Sequence, residues 1–484
     1  MDHQPLSPFS AWTSPEEAGV SSAGLLGFLD AWEQCRDVVQ FHSMILLRHG
    51  KTVFRINFAP YDDVTPHSLY SLSKSFTSAA AGFAVHEGKL NWNSSVVDIL
   101  PEEIPEGREE ELRAVTVETL LSMGSGLDPA SDSPSPSPEI TWARHVLSHQ
   151  LVHPPMTHFH YNTFGTYLVS CMVQKVTGQN IRDYLVPRLF GPLGIGVPEW
   201  DMSPEGVCCG GFGLHLSAEA IARFGQCLLQ KGVWQGSQLL PEGWVDLATR
   251  FHIANDNGQP QPENEWAQGY GFQFWRCLDG RYRGDGAMGQ ACFVDEKHDA
   301  VLAVTCGTTD MRLEFRLIRE HLFNAFDAPA GSPAEQEAFA ARAKELGYAF
   351  VTDDGSERPL PEGNYELPIE NGVCRLAIRP APLGHLGFEL SNGPAEHFTF
   401  WVPRGHAGLC GVLPCIPAFQ RSRLIRYFGC YGWQDGGLHV VLRSPDGPNT
   451  LDGVLTWTDG ALCFDGLGIA FPNGHVELRK ATEG

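Results

Sequence analysis

The stretch Leu69–Leu90, LYSLSKSFTSAAAGFAVHEGKL, predicts a helix whose beginning has an unusual composition. The apolar residues follow the i, i+3, i+4, i+7 spacing of a helix with one buried face. These residues are Phe76, Ala79, Ala80, Phe83 and Ala84. Gly88 follows at a position where glycine commonly ends a helix. We therefore predict a helix from near Ser71 to His86.

Five hydroxyl residues surround one lysine at the beginning of this helix. They are Ser71, Ser73, Ser75, Thr77 and Ser78, and the lysine is Lys74. A buried helix face does not require these hydroxyls, and a solvent-exposed cap does not require the lysine. This combination therefore needs an explanation from the chemistry of the residues.

Ser71 and Lys74 are three residues apart, so on a helix their side chains lie on the same face. A serine hydroxyl becomes a good nucleophile when a neighbouring base takes its proton. A lysine can be that base if burial lowers its pKa. On the pair alone, a capping serine beside an exposed lysine is still the favoured interpretation.

Length and composition limit the classes of protein. A chain of 484 residues is too long for one ordinary core, so we expect at least two domains. The content of 43% hydrophobic and 19% charged residues is typical of a soluble globular protein. The net charge of -23 provides no basic surface for phosphates, so we expect neither a nucleic acid nor an acidic membrane as partner.

The cysteines indicate a reducing compartment. The chain has 13 of them, scattered without CxxC pairs or interleaved histidines. We therefore expect reduced thiols, a cytoplasmic location and no metal or cofactor. The first 22 residues lack a basic segment followed by an apolar one, so we expect no signal peptide. No charge-free segment is long enough to span a membrane.

The first two thirds of the chain alternate between helix and strand patterns. We predict strand pairs in residues 41–62 and 290–308, helices in 117–121 and 165–178, and a Pro/Ser surface loop in 128–140. Glycine at position 178 is again placed to end a helix. Strands and helices in this arrangement predict an α+β domain.

The last part of the chain has a different pattern. An alanine-rich charged segment is followed by short strands in residues 372–380, 438–444 and 461–471. We predict a first domain at 1–329, a helical linker at 330–357 and an antiparallel all-β domain at 358–484. Its core should contain the aromatic residues Phe398, Phe400, Trp401, Phe428, Tyr431 and Trp433.

Two further segments have residues suited to chemistry. In HFHYNTFGTYLVS, Tyr161, Asn162 and Thr163 come just before an apolar helix. Tyr161 is a candidate proton relay if a neighbouring cation lowers its pKa, and otherwise an ordinary half-buried phenol. The segment YRGDGAMGQACFV, residues 282–294, is a glycine-rich entry into a strand. Such backbone can approach a ligand closely, although a simple tight turn has the same composition.

These three segments, in this order and with their flanking sequence, resemble the serine β-lactamase and penicillin-binding-protein superfamily. The similarity is to its class C-like branch of esterases, peptidases and amidases. It implies an antiparallel sheet flanked by helices plus an all-helical subdomain, with the site between them. Matching segments are SPEEAGVSSAGLLGFLDAWE, MILLRHGKTV, LYSLSKSFTS, VTVETLLSMGSGL, FHYNTFGTYLVSCMVQKVTGQ, PLGI, GGFGLHLSAEAIARFGQ and YRGDGAMGQ.

The resemblance also implies roles for individual residues. Ser71 would be the acylated nucleophile, Lys74 its general base, and Tyr161 the shuttle for the proton of the leaving group. The oxyanion hole would be the N–H of Ser71 and one N–H of the strand entered by DGAMGQ. The other hydroxyls would cap the helix or bond the lysine. Residues expected to bind substrate are Asn162, Thr163, Asp285, Gly286, Ala287 and Gln290.

The chain departs from the family pattern at two of the three segments. The second reads Tyr-Asn-Thr, where better-known relatives have Tyr-x-Asn. The third has neither Lys-Thr-Gly nor His-x-Gly, and Asp285 stands about where a cation would be expected. An acidic side chain would repel a substrate carboxylate. We therefore expect poor β-lactam hydrolysis and a substrate with a neutral or amine-bearing group there.

The sequence thus predicts a metal-independent serine hydrolase that cleaves an ester or amide of a small molecule or peptide. An acyltransferase, transpeptidase or peptide cyclase would use the same acyl-enzyme and differ only in the acceptor. A catalytically silent acyl-binding or sensor protein is the alternative from another class. The presence of Ser71, Lys74 and Tyr161 together argues against the silent protein.

Overall fold

The computed structural model describes residues 11–369, 372–391, 397–414, 424–448, 450–467 and 474–481. The chain divides into two compact units. The first comprises Met1–Ile56, Asp63–Thr305 and Thr309–Lys344, and the second Asn57–Asp62, Cys306–Thr308 and Glu345–Gly484. The boundaries at 329 and 357 remain a prediction.

The helices lie almost entirely in the first unit. They are α1 Ser22–Glu33, α2 Ser73–His86, α3 Val96–Ile99, α4 Glu109–Leu112, α5 Val117–Leu121, α6 Trp142–Ser148, α7 Thr163–Thr177, α8 Ile181–Leu185, α9 Ala218–Leu229, α10 Trp244–Thr249, α11 Met311–Leu317 and α12 Pro333–Glu345. Within the described part of the chain, no helix is long and apolar enough to cross a membrane.

The predicted helices are confirmed. A 3-10 turn at Tyr70–Leu72 leads directly into α2, and α5 has the predicted bounds. Helix α7 ends at Gly178, whose φ of 72° is a left-handed conformation that glycine adopts without a steric penalty. The predicted apolar face of α2 is buried, and its Phe76 stacks on Phe224 of α9 with ring centroids 4.1 Å apart.

The first unit also has a six-stranded sheet. The strands up to this point of the chain are β1 Val39–Arg48, β2 Lys51–Asn57, β3 His67–Ser68, β4 His215–Leu216, β5 Val233–Trp234, β6 Ser237–Gln238, β7 Trp275–Arg276, β8 Tyr282–Gly286, β9 Gln290–Asp295 and β10 Ala300–Thr308. The order in the large sheet is β2-β1-β10-β9-β8-β7, and β7 to β10 pair antiparallel. The strand pairs predicted in 41–62 and 290–308 are confirmed.

Helices cover this sheet and build the helical subdomain. Helix α9 contacts β1 and β9, and α11 contacts β1. Residues 73–185, all described, carry helices α2 to α8 and no strand. The predicted α+β class, with a sheet flanked by helices and a helical subdomain, is therefore confirmed.

The second unit contains the all-strand domain. Its strands are β11 Gly363–Ile369, β12 Gly372–Ala381, β13 His385–Ser391, β14 His397–Val402, β15 Gly408–Pro414, β16 Leu424–Gln434, β17 Gly437–Arg443, β18 Thr450–Thr458, β19 Ala461–Leu467 and β20 Gly474–Lys480. They form one sheet in the order β14-β13-β12-β11-β20-β19-β18-β17-β16-β15, whose two terminal strands also contact each other. The predicted C-terminal all-β class is confirmed.

The predicted aromatic core of this domain needs one correction. Phe400, Phe428, Tyr431 and Trp433 are buried, but Trp401 is 44% exposed. Alternate side chains of a strand point to opposite faces, so Trp401 on β14 points away from the core that Phe400 enters. The Phe398 side chain and residues 468–471 lie outside the described part of the structure.

Candidate active site

The structure brings Ser71 and Lys74 into contact at the beginning of α2. The Lys74 Nζ lies 3.0 Å from Ser71 Oγ and also bonds Thr163 Oγ1 at 3.2 Å. A third bond, of 2.8 Å, goes to the backbone oxygen of Gly211. Tyr70 just before Ser71 has a φ of 46°, a conformation that is uncommon for residues with a Cβ and that clusters at functional sites.

The environment of Lys74 favours the neutral amine. The side chain is 1% exposed, and this burial lowers the pKa of Lys74 to about 7. The negative charges of Asp132 and Asp285 oppose the shift but do not cancel it. Because the pKa is close to neutrality, a large fraction of the amine is unprotonated and can accept a proton.

Tyr161 completes the group around Ser71. Its ring lies 4.7 Å from Lys74 Nζ and stacks on that of Trp275 with centroids 5.3 Å apart. The Ser71 side chain is close enough to act on the Tyr161 hydroxyl, where it favours a lower pKa. Burial and the charge of Asp285 raise the pKa of Tyr161 above its ordinary value. The sequence analysis made Tyr161 a proton relay on the condition that a neighbouring cation lowers its pKa. The structure shows the opposite shift, so Tyr161 is a neutral phenol at neutral pH.

Asn162 and Thr163 have different surroundings. Asn162 caps α7, because its Oδ1 accepts a bond of 2.6 Å from the Gly165 N–H and its Nδ2 donates one of 2.7 Å to Ser131 Oγ. Both ends of the Asn162 amide are thus occupied by the protein, and its substrate-binding role remains a prediction. Thr163 Oγ1 faces the site, where it contacts Lys74.

The remaining hydroxyls do not have the role that was expected. We find no side-chain cap at the beginning of α2, and none of these hydroxyls bonds Lys74. Ser73, Ser75 and Thr77 connect the buried first turns of α2 to neighbouring segments, whose backbone groups would otherwise be buried without partners. The bonds are Leu214 N–H to Ser73 Oγ, 3.1 Å; Ser75 Oγ to Gln273 O, 2.9 Å; and Thr77 Oγ1 to Gly210 O, 2.8 Å.

The third segment places β8 directly against the turn that holds Ser71. A Cβ on Gly286 would overlap the carbonyl oxygen of Leu69 and lie 3.0 Å from the Ser71 nitrogen. A Cβ on Gly284 would overlap Leu72 in the same turn. Gly286 therefore allows a close approach of two backbones, whereas the atoms nearest to a Cβ on Gly284 belong to the side chains of Leu72 and Ser75. Since side chains alternate along a strand, Asp285 points to the opposite face of β8.

A short turn, Ala287–Gly289, joins β8 to β9 at the mouth of this site. Gly286 pairs with Gln290, so the turn contains three residues. Ala287 is exposed, whereas Gln290 is buried and makes a long contact of 3.4 Å with the Met288 carbonyl oxygen. Ala287 is thus the accessible residue of this segment nearest to Gly286, and the role of Gln290 remains a prediction.

Asp285 belongs to a buried network. Its Oδ2 accepts bonds of 2.9 Å from Trp266 Nε1 and of 2.9 Å from Arg283 Nε. Arg283 is fully buried, and its guanidinium lies 4.7 Å from the ring of Phe315 and 5.3 Å from that of Trp266. The network fixes the Asp285 carboxylate on the other face of β8 from the contacts at Gly284 and Gly286, and its charge still acts on Lys74 and Tyr161.

Sequence reasoning missed several residues of this site. Asp132 lies in the segment that the sequence identified only as a Pro/Ser loop, and Trp266 lies in a segment without a recognisable pattern. Gly211 lies in a segment that matches the family, GGFGLHLSAEAIARFGQ, but was given no role. Arg283 lies two residues before Asp285 in the glycine-rich segment, and only the structure shows that both are on a strand, β8, where their side chains share a face.

If the chain is the serine hydrolase that its sequence predicts, the variant Gly286→Ala should lower kcat for an ester by about 10²-fold, because a displacement of about 1 Å at the nucleophile has that effect. The added Cβ must push β8 away from the turn that carries Ser71. Steady-state kinetics with a p-nitrophenyl ester measure the change. Gly27→Ala is the control, because a Cβ at Gly27 meets nothing within 4 Å. A fully active Gly286→Ala enzyme would contradict the role of this close approach.

Comparison with known proteins identifies the family of the chain. The family model described as Beta-lactamase matches residues 40–323, which is more than half of the chain. One curated relative is the 6-aminohexanoate-dimer hydrolase of Paenarthrobacter ureafaciens, 22% identical over 312 residues. That match covers 60% of this chain and 78% of the relative. The predicted resemblance to the β-lactamase and penicillin-binding-protein superfamily is confirmed.

Two solved structures show the same fold. A family VIII carboxylesterase has a TM-score of 0.50 at 16% identity, and the match covers 66% of this chain and all (100%) of the esterase. The crystal structure of SurE has a TM-score of 0.51 at 17% identity, and that match covers 96% of this chain and 100% of SurE. The second match therefore extends through the C-terminal strands as well.

Proposed function

The chain belongs to the beta-lactamase family, and on that premise we propose that it is a serine hydrolase that cleaves an ester or amide through an acyl-enzyme on Ser71. The observation that supports this function best is the buried Lys74 amine, 3.0 Å from Ser71 Oγ, with a pKa of about 7. A neutral amine at that distance can take the serine proton.

In the proposed acylation step, Ser71 Oγ attacks the substrate carbonyl carbon while Lys74 Nζ takes the hydroxyl proton. The carbon–oxygen bond forms, and the carbonyl oxygen becomes an oxyanion. Tyr161, which lies beside Lys74 and Ser71, passes a proton from its neutral hydroxyl to the leaving group and is reprotonated from Lys74. The bond to the leaving alcohol or amine then breaks, and the acyl group stays on Ser71.

The oxyanion needs donors that are already in position. We assign this role to the backbone N–H of Ser71 and to that of Ala287, because β8 lies against the Ser71 turn and Ala287 follows Gly286 directly. A pair of such donors commonly lowers the barrier by several kcal/mol, of the order of about 3 kcal/mol for each donor.

In the proposed deacylation step, a water molecule attacks the acyl carbon. The neutral Lys74 amine, through Tyr161, accepts the proton of this water, and Ser71 leaves with its proton restored. We propose that the enzyme is of the class C-like type and acts on a small molecule or peptide without a metal ion. A cytoplasmic location fits its buried thiols, such as Cys171, Cys208 and Cys209.

The proposed function is tested by trapping the acyl-enzyme. The protein is mixed with p-nitrophenyl butyrate, quenched in acid and digested, and the peptides are measured by mass spectrometry. We expect continuous release of nitrophenolate and a butyryl group on the peptide that contains Ser71. Release of one equivalent without further turnover would favour the silent acyl-binding protein. A butyryl group on another residue, or no release, would overturn the proposal.

A further inference from the structure

Two carboxylates act on the Lys74 and Tyr161 side chains, and one of them, Asp285, is paired with the buried Arg283 at 2.9 Å. Of the two charges, that of Asp132 raises the pKa of Lys74 more, and that of Asp285 raises the pKa of Tyr161 more. Asp132 also accepts a bond of 3.0 Å from the Phe164 N–H, which holds it in place. Arg283 offsets part of the Asp285 charge, but both carboxylates still favour a positive charge near Ser71.

Arg283 is the cation nearest to Asp285, but the substrate cannot reach it. The side chain is fully buried among aromatic rings, and its terminal nitrogens donate to the Glu265 carbonyl oxygen at 3.3 Å and to Cys277 Sγ at 3.2 Å. Arg283 therefore orients the Asp285 carboxylate and does not offer a binding point for an anion.

Asp285 keeps one oxygen available. Both of its hydrogen bonds, from Trp266 and Arg283, end on Oδ2, and Oδ1 accepts none from the residues that the structure describes. The side chain is 6% exposed. Strand β7 pairs with β8 only as far as Arg283, so Asp285 lies on an open edge of the sheet. A ligand can approach Oδ1 across that edge.

The surroundings of Asp285 are aromatic. Trp266 donates to its carboxylate, and Trp266 and Tyr161 pack on the apolar cluster that contains Tyr270 and Trp275. A carboxylate beside aromatic rings is the arrangement that recognises ammonium groups, because the charge pairs with the anion while the ring faces attract the cation. A substrate carboxylate would be repelled by the Asp285 carboxylate and by the ring faces.

We propose that Asp285 and the aromatic side chains beside it bind an ammonium group of the substrate, so that the enzyme prefers esters and amides with a positive charge near the scissile bond. This inference rests on the proposed function of Ser71. It extends that function by naming the charge and chemical class of the substrate.

The test compares substrates of matched shape and different charge. On the acyl side, these are the p-nitroanilides of 4-aminobutyrate, pentanoate and glutarate; on the leaving side, butyrylcholine and 3,3-dimethylbutyl butyrate. We expect kcat/KM of the cationic member to exceed that of its neutral counterpart by about 10–100-fold in at least one series, as one desolvated charge pair provides. The glutarate derivative should be the poorest substrate.

Two variants test whether Asp285 causes the preference for cationic substrates. Asp285→Asn keeps the shape of the side chain and should remove most of the preference for cations, measured as the ratio of kcat/KM for the cationic member to kcat/KM for its neutral counterpart. Asp299→Asn removes one exposed carboxylate from the turn between β9 and β10 and should leave the preference unchanged. Tryptophan fluorescence and the neutral substrate verify that Asp285→Asn is folded.

The possible outcomes separate the inference from the proposed function. If the wild-type enzyme hydrolyses the neutral members through Ser71 but has no preference for cations in either series, the inference is wrong and the proposed function stands. The inference is also wrong if Asp285→Asn, folded and active on neutral substrates, retains the preference. If no member of either series is hydrolysed, the proposed function itself fails.

Discussion

The variant Ser71→Ala should lose about 10⁴–10⁶-fold in kcat for p-nitrophenyl butyrate, as removal of a nucleophile does in other serine hydrolases. Without Oγ no acyl-enzyme can form, and the oxyanion donors and Lys74 can assist only direct attack by water. Nitrophenolate release measures kcat, and labelling by a fluorophosphonate probe reports the nucleophile independently. The label should be absent from the variant.

Ser78→Ala is the matched control for this loss. Ser78 lies on the same helix, and its Oγ is buried without a hydrogen-bond partner among the described residues. Its removal leaves no other group unsatisfied, so stability and kcat should stay close to those of the wild type. If Ser71→Ala retained most of the activity, or if Ser78→Ala lost it to the same extent, Ser71 would not be the nucleophile.

Lys74→Met should lower kcat/KM by about 10²–10⁴-fold, the usual contribution of a general base. Methionine fills a similar volume but cannot take the Ser71 proton. The wild-type pH profile should rise with a single ionisation near pH 7, because the pKa of Lys74 is about 7 and only the unprotonated amine is active. This ionisation should be missing from the profile of the variant.

Lys89→Met is the control for the loss of a lysine. Lys89 follows α2, and its side chain is 37% exposed and paired with Glu87. Its replacement should leave both kcat/KM and the pH profile unchanged, since exposed ion pairs contribute little. A wild-type profile without an ionisation near neutrality, or an unchanged profile in Lys74→Met, would show that Lys74 is not the base.

The free energy of unfolding reports the pKa of Lys74 without any substrate. Burial lowers this pKa from 10.5 to about 7, so the folded state binds the proton less tightly than the unfolded state. Burial of protonated Lys74 therefore destabilises the wild type fully below about pH 7, and this destabilisation disappears as the pH rises toward 10.5. The stability of Lys74→Met relative to the wild type should fall by about 3 kcal/mol between about pH 7 and pH 10.

Local patterns were sufficient for much of this fold. The helical period of residues 69–90 predicted α2, and a glycine stop predicted the end of α7 at Gly178. The spacing of Ser71 and Lys74 predicted their contact, because residues three apart on a helix share a face. Each of these predictions depends on a few neighbouring residues, whose geometry the backbone dictates locally.

Only the tertiary structure decided how other residues surround that pair. The family resemblance had named Tyr161 and Gly286, but no pattern had singled out Asp132. Tyr161, Gly286 and Asp132 come from distant segments that the packing of β8, α7 and the 128–140 loop brings to α2. The pKa values of Lys74 and Tyr161 could not be read from the sequence, because both follow from burial and from charges far away along the chain. Contacts between distant segments depend on how a whole core packs, and no local pattern contains that information.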